Sequence, residues 1–155
     1  MKVMLDKGAI APTRAHPYDA GIDLYTPVDC TVPPAETLLK VNPHEYCCET
    51  RTVVGSLTID TGVHVEIPEG YAGFIKSKSG LNVNQGLTAE GVIDAHYTGS
   101  IRVKLYNHTW QGYHFKAGDK IAQLVILPCL LPEVEIVDSL EETDRGDNGF
   151  GSTGR

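Results

Sequence analysis

The sequence predicts an all-β protein, an antiparallel sandwich or barrel built from many short strands. Three observations carry this expectation. Apolar and polar residues alternate in several separate runs, sixteen glycines and nine prolines interrupt those runs, and no window holds a long stripe of helical spacing. Ala20 to Leu24 and Tyr71 to Ile75 read as strands, and Val63-His64-Val65-Glu66-Ile67 alternates until Pro68-Glu69-Gly70 turns the chain. Ile101-Arg102-Val103-Lys104-Leu105 aims its apolar residues at one face and Arg102 and Lys104 at the other. Ile121 to Leu127 is more continuously apolar and ends at Pro128, and Val134-Glu135-Ile136-Val137 is a last short candidate. Leu81 to Leu87 holds one helical turn at most.

A chain of 155 residues with 41% hydrophobic and 21% charged residues is an ordinary single globular domain. Its net charge of −7 argues against a nucleic-acid surface, which needs a basic face. No apolar run reaches membrane-spanning length, and Met1 to Asp6 lacks the apolar core of a signal peptide, so the expected location is the cytoplasm. The cysteines, Cys30, Cys47, Cys48 and Cys129, show no C-x-x-C spacing. With His44 nearby a metal cluster is conceivable, but reduced structural thiols are the simpler reading.

Five segments look too specific for scaffolding. In Ala20-Gly21-Ile22-Asp23-Leu24 the carboxylate points away from its apolar neighbours, toward solvent or toward a metal-bound water. Read alone, the solvent-facing role is the ordinary one. Lys76-Ser77-Lys78-Ser79-Gly80-Leu81 combines cations, hydroxyls and an approachable glycine amide, as an anion nest does, although a polar turn has the same composition. Gly91-Val92-Ile93-Asp94-Ala95-His96-Tyr97-Thr98-Gly99 puts a carboxylate at the edge of apolar residues, where it can deprotonate a water; a plain hairpin with a turn Asp is the alternative. His96, between small residues, is expected to face solvent. In Ala117-Gly118-Asp119-Lys120-Ile121-Ala122-Gln123, the amide of Gln123 interrupts an apolar run and must find partners. The last twelve residues carry four glycines, which resist ordering, beside two arginines, Phe150, Ser152 and Thr153. That composition suits a polyphosphate and a base, or simply a frayed terminus.

In this order the five segments resemble the five motifs of the trimeric dUTP diphosphatase (dUTPase) family, from about Asp19 to the end of the chain. Gly91 to Gly99 and Gly146 to Gly154 are the most specific parts. The resemblance implies a homotrimeric jelly-roll β-barrel of the β-clip type, with active sites shared between subunits. It divides the chain into a barrel domain, residues 1–143, and a flexible glycine-rich lid, residues 144–155, that closes over a neighbour's nucleotide. It implies hydrolysis of dUTP to dUMP and pyrophosphate, which keeps uracil out of DNA and supplies dUMP for thymidylate synthesis.

Each site residue then has an implied role. Asp94 would activate the water that attacks the α-phosphorus and would bind the sugar 3′-OH. Tyr97 would lie against the deoxyribose and exclude a 2′-OH. Gly91, Val92 and Ile93 would read the uracil edge through the backbone, and Phe150 would stack on the base. Lys78, Ser79, Gly80 and Gln123 would hold the α- and β-phosphates. Arg145, Gly151, Ser152 and Thr153 would hold the γ end, and Arg102 is a weaker substrate contact. Mg2+ would bridge the phosphates with no direct protein ligand, Asp23 acting through water.

Lys78 stands where the family usually has Arg, which loses the bidentate fork. Asn148 replaces a usual glycine, and His96 a position often acidic. Residues 38–54 exceed the usual connection and read as a hairpin-like insertion able to serve a protein partner. Two other functions compete on the same scaffold: a dCTP deaminase-like enzyme, and a nucleotide-responsive binding protein. A structural jelly-roll such as a capsid domain would leave the five polar motifs without a purpose.

Overall fold

The structure, a computed structural model, describes residues 1–41 and 48–146, without the side chains of 39–41 and 48–50. Among these residues the strands are β1 (Lys2–Leu5), β2 (Gly21–Tyr25), β3 (Cys30–Val32), β4 (Glu36–Val41), β5 (Cys48–Val53) and β6 (Gly55–Asp60). They continue as β7 (Val63–Glu66), β8 (Tyr71–Lys76), β9 (Leu87–Ile93), β10 (Arg102–Asn107), β11 (Tyr113–Phe115) and β12 (Lys120–Pro128), with one helix, α1 (Ser79–Gln85). Six strands form one sheet in the order β2-β12-β8-β9-β10-β6. The pairs β1-β7, β11-β3 and β4-β5 complete the architecture, and every pairing is antiparallel.

Alternation explains which side of each strand is inside. In β10, Val103 and Leu105 are buried while Arg102 and Lys104 are exposed, and Ile101 just before the strand is also buried. In β7, Val63 and Val65 point inward. These side chains meet Leu24, Ile59, Leu87, Phe115, Ile121 and Leu124 in one core. Each such residue contributes roughly 1.5–3 kcal/mol by leaving water. Tyr113 and Phe115 add a tilted ring pair with centroids 4.7 Å apart.

Three expectations meet the structure differently. Val134 to Val137 forms no strand: no ladder partner lies within the described residues, and Val134 and Ile136 stand in solvent beside Leu130, Leu131 and Leu140. Alternation alone does not make a strand when nothing pairs with it. The helix runs seven residues, longer than the single turn expected. The stretch read as an insertion contains β4 and β5 paired with each other from Glu36↔Val53 to Val41↔Cys48. His44 and Cys47 lie outside the described residues. Cys30 and Cys129 are free thiols, and no group of three or more His, Cys, Asp or Glu among the described residues is placed to hold a metal. No helix among them is long and apolar enough to cross a membrane.

Leu105 and Leu124 are 1% and 0% exposed in the middle of the six-stranded sheet. Leu105→Ala or Leu124→Ala should therefore lower stability by about 2–5 kcal/mol. Urea denaturation should show a lower midpoint with an unchanged slope.

Candidate active site

The first group of site residues is assembled by strand register. Asp23 on β2 lies opposite Gln123 on β12, and Gln123 lies opposite Lys76 at the end of β8. This brings three of the five segments side by side. Asp23 is 5% exposed, which overturns the solvent-facing reading. Its Oδ1 receives Lys78 Nζ at 2.5 Å and its Oδ2 receives Lys120 Nζ at 2.7 Å. A carboxylate out of water is tolerable only when paired in this way. Burial alone would raise its pKa, but Lys120 and Lys78 outweigh that and hold Asp23 below its ordinary value. The same contact pushes Lys120 upward. Sequence reasoning gave Lys120 no role, because nothing local reveals that it shares a carboxylate with Lys78.

Gln123 finds the partner its position demands. Its Nε2 donates to the Ser77 carbonyl at 3.1 Å, and its Oε1 lies where a Cβ on residue 21 would be only 2.2 Å away. Gly21 is required by that close approach. Ser77 in turn ties this corner to β9, accepting from the Ala89 amide at 2.9 Å and donating to the Ala89 carbonyl at 3.2 Å. Ser79 and Gly80 open α1 just after Lys78, both exposed, with nothing within 4 Å of where a Gly80 Cβ would be.

The second group sits at the other end of β9. Gly91, Val92 and Ile93 pair with Ile75, Phe74 and Gly73 of β8. Asp94 then leaves the strand and lines a hollow of about 510 Å³ with Tyr71, Ala72, Phe74, Val92 and Cys129. Its carboxylate is exposed, and no side chain or amide among the described residues engages it. The turn that follows closes with the Tyr97 amide donating to the Asp94 carbonyl at 3.3 Å. His96 adopts a left-handed φ of 66°, and its ring lies 3.2 Å from Glu69 in solvent, where it was expected. Tyr97 donates to the Ser100 carbonyl at 3.1 Å and lies so close over Gly99 that a Cβ there would touch its ring.

The two groups are not together in one chain. Gln123 is level with Lys76 and Ile93 with Gly73, so Asp94 lies four residues further along the sheet, roughly 13 Å, and also two strand spacings across it, roughly 10 Å. Arg102 is directed elsewhere, its Nε 3.3 Å from Asp60 across the β10-β6 ladder. Arg145 follows the last strand, and Phe150, Gly151, Ser152 and Thr153 lie outside the described residues.

The lowered pKa of Asp23 fixes a sign. Its pairing stabilises the fold fully above the ordinary carboxylate value of 3.8 and is lost only as pH falls below that. Asp23→Ala, which leaves two ammonium groups facing each other, should cost about 1–3 kcal/mol at neutral pH. Urea denaturation repeated at falling pH should show the gap between variant and unmodified protein closing below that value and not before.

A family model described as dUTPase matches residues 44–154. The deoxyuridine 5'-triphosphate nucleotidohydrolase of Anaplasma marginale is 41% identical over 150 residues, covering 95% of this chain and 90% of the relative. That of Candida glabrata is 35% identical over 158 residues, covering 100% and 96%. Among solved structures, the Staphylococcus bacteriophage 80alpha dUTPase with dUPNHPP superposes with a TM-score of 0.78 at 29% identity, covering 99% of this chain and 98% of the other. A mutant dUTPase from phage phi11 of S. aureus, whose structure coordinates a structural Mg(II) ion, gives a TM-score of 0.71 at 28% identity, covering 91% and 98%. The sheet described above is thus the jelly-roll β-fold of these neighbours. The chain belongs to the dUTPase family.

Proposed function

We propose that the protein hydrolyses dUTP to dUMP and pyrophosphate, with Asp94 as the base. The observation that carries this is the division between two carboxylates. Asp23 is buried and committed to two lysines, while Asp94 stands uncommitted beside an apolar hollow. Only the second can accept a proton from water. The water oxygen bonds to the α-phosphorus as the α–β bridging bond breaks, its proton passes to Asp94, and pyrophosphate leaves. The backbone of Gly91 to Ile93 reads the uracil, since a strand ladder fixes donors and acceptors. Tyr97, packed on Gly99, blocks the space of a 2′-OH. Lys78, Ser79, Gly80 and Gln123 take phosphate oxygens, and Arg145, Phe150, Gly151, Ser152 and Thr153 close the site as a lid. Arg102 contributes less, being paired with Asp60.

The separation of Asp94 from Gln123 favours a site shared between copies. A triphosphate held by Lys78 and Gln123 of one chain would meet Asp94 of another. Exposed Tyr71, Val92, Leu130, Leu131, Ile136 and Leu140 are the apolar surface such a trimer would cover.

The residues fit a magnesium ion that arrives on the substrate. Asp23 has both oxygens engaged by lysines, beside the segments that would take the phosphates. When bound, the ion would offset charge on the phosphate oxygens. Asp23 would face the ion through water, using the lone pairs that its two lysine contacts leave unused. Hydrolysis should accordingly cease when a chelator removes the divalent cation and return when magnesium is restored.

Among the described residues the hairpin β4-β5 pairs with no other strand, and it presents Leu38 and Val53 to solvent. This favours a second role for residues 38–54, contact with a protein partner, alongside catalysis.

Pyrophosphate release from dUTP, dTTP, dCTP and UTP, with ammonia assayed on dCTP, tests the assignment directly. Asp94→Ala should lower kcat on dUTP about 10³-fold while nucleotide affinity stays within a few-fold. Near-normal turnover in that variant would remove Asp94 from the mechanism. Deleting residues 144–155 should lower kcat about 10²-fold with the barrel still folded.

A further inference from the structure

The turn that carries Tyr97 is held from one side by a single imidazole. His64 lies in β7, its side chain 17% exposed, on the opposite face to buried Val63 and Val65. Nδ1 is 2.7 Å from the Thr98 carbonyl oxygen. A carbonyl only accepts, so Nδ1 carries a proton. Nε2 is enclosed, has no aligned hydrogen bond, and faces Asp6 Oδ2 at 3.2 Å. A neutral ring would turn a lone pair toward that carboxylate, whereas the imidazolium answers both oxygens. The Thr98 carbonyl, then Asp6, raise the pKa of His64 above 6.5, with a further push from Asp60. Lys2 and Glu66 line a hollow with His64 and Thr98 but pair with each other at 2.8 Å, and Arg102 pairs with Asp60.

The loop beyond Asp94 is pinned at its two ends, by the Tyr97 amide on the Asp94 carbonyl and by buried Ile101, whose amide donates to the Val63 carbonyl and whose carbonyl accepts from Thr61. Residues 94–101 belong to no strand. His64 fixes Thr98 and Asp60 fixes the Ser100 hydroxyl, one on each side of the Gly99 on which Tyr97 rests. We propose that His64 is a positioning residue that sets where Tyr97 stands against the sugar and thereby tunes the preference for deoxyribose over ribose. The proposal rests on the reading of the site given above. Releasing Thr98 removes one of the two flanking anchors, and the phenol can then yield to a 2′-OH. The grip is strongest while the ring is charged. Neutralisation keeps the Thr98 bond but loses the attraction of Asp6, so discrimination should decline as pH rises through the raised pKa of His64.

The test measures kcat/KM on dUTP and UTP across about pH 5.5 to 8, and amide exchange at residues 97–100. It compares the unmodified full chain with His64→Ala, His64→Gln and Asp6→Asn. His64→Ala should cut the dUTP:UTP ratio about tenfold and speed exchange about tenfold. His64→Gln, which still donates to Thr98, should recover most of the ratio and flatten its pH dependence. Asp6→Asn should move that dependence to lower pH. Unchanged exchange in His64→Ala overturns the proposal, and so does faster exchange with an unchanged ratio. Should His64→Ala not fold, His64→Gln and Asp6→Asn decide: pH profiles like the unmodified protein's overturn it. An unmodified chain that protects residues 97–100 yet never hydrolyses dUTP sinks the functional reading instead, and the exchange in the variants still judges the anchor.

Discussion

β12 is hydrogen-bonded along both edges, to β2 and to β8, and the corner of the molecule that holds Asp23 depends on that double pairing. From Gln123 to Val125 the strand is paired on both sides, so its register cannot slip without turning its apolar side chains outward. The register sets Gln123 between Asp23 and Lys76. It also places Lys120 at the same carboxylate that Lys78 reaches from the neighbouring segment. A buried charge is thereby compensated by residues that never meet in sequence. The irregularity between Lys120 and Ala122 falls at this point, where the ladder to β2 shifts while keeping the ammonium in reach.

Charge compensation also sorts the two acids chemically. Asp23 is held ionised by two cations and gains nothing by taking a proton. Asp94 has solvent on one side and apolar residues on the other. A general base needs a lone pair that no other donor has already claimed. The same logic separates Arg102 from Lys78. The guanidinium is spent on a ladder partner, Asp60, while the ammonium shares a carboxylate that a stronger anion can draw it from.

Much of the fold was legible in the sequence because burial leaves a period-two record. β7, β10 and β12 follow the runs that alternate or stay apolar, and the same record put Ile101, Val103 and Leu105 on one face, which is the buried one. Val134 to Val137 has the pattern without the partner, which composition cannot disclose. The site was legible as motifs but not as geometry. Asp23 read as solvent-facing because its two cations come from distant segments, Lys78 before α1 and Lys120 at the start of β12. The distance between Asp94 and Gln123 depends on ladder registers that no local window encodes. His64 looked like the polar half of an alternating strand, and its contact with Thr98 comes from a loop that the strand pattern does not reach.

His96 is the only non-glycine residue with positive φ among the described residues, and it sits between Asp94 and Tyr97. For most side chains that backbone state costs about 1–2 kcal/mol, while Asn, Asp, His and Gly enter it more readily. Mutational drift at this position is therefore filtered by main-chain geometry before any property of the imidazole matters. Lineages would be free to exchange charge, size and acidity there, yet barred from valine or isoleucine, so variability at residue 96 is compatible with an unvarying path of the chain.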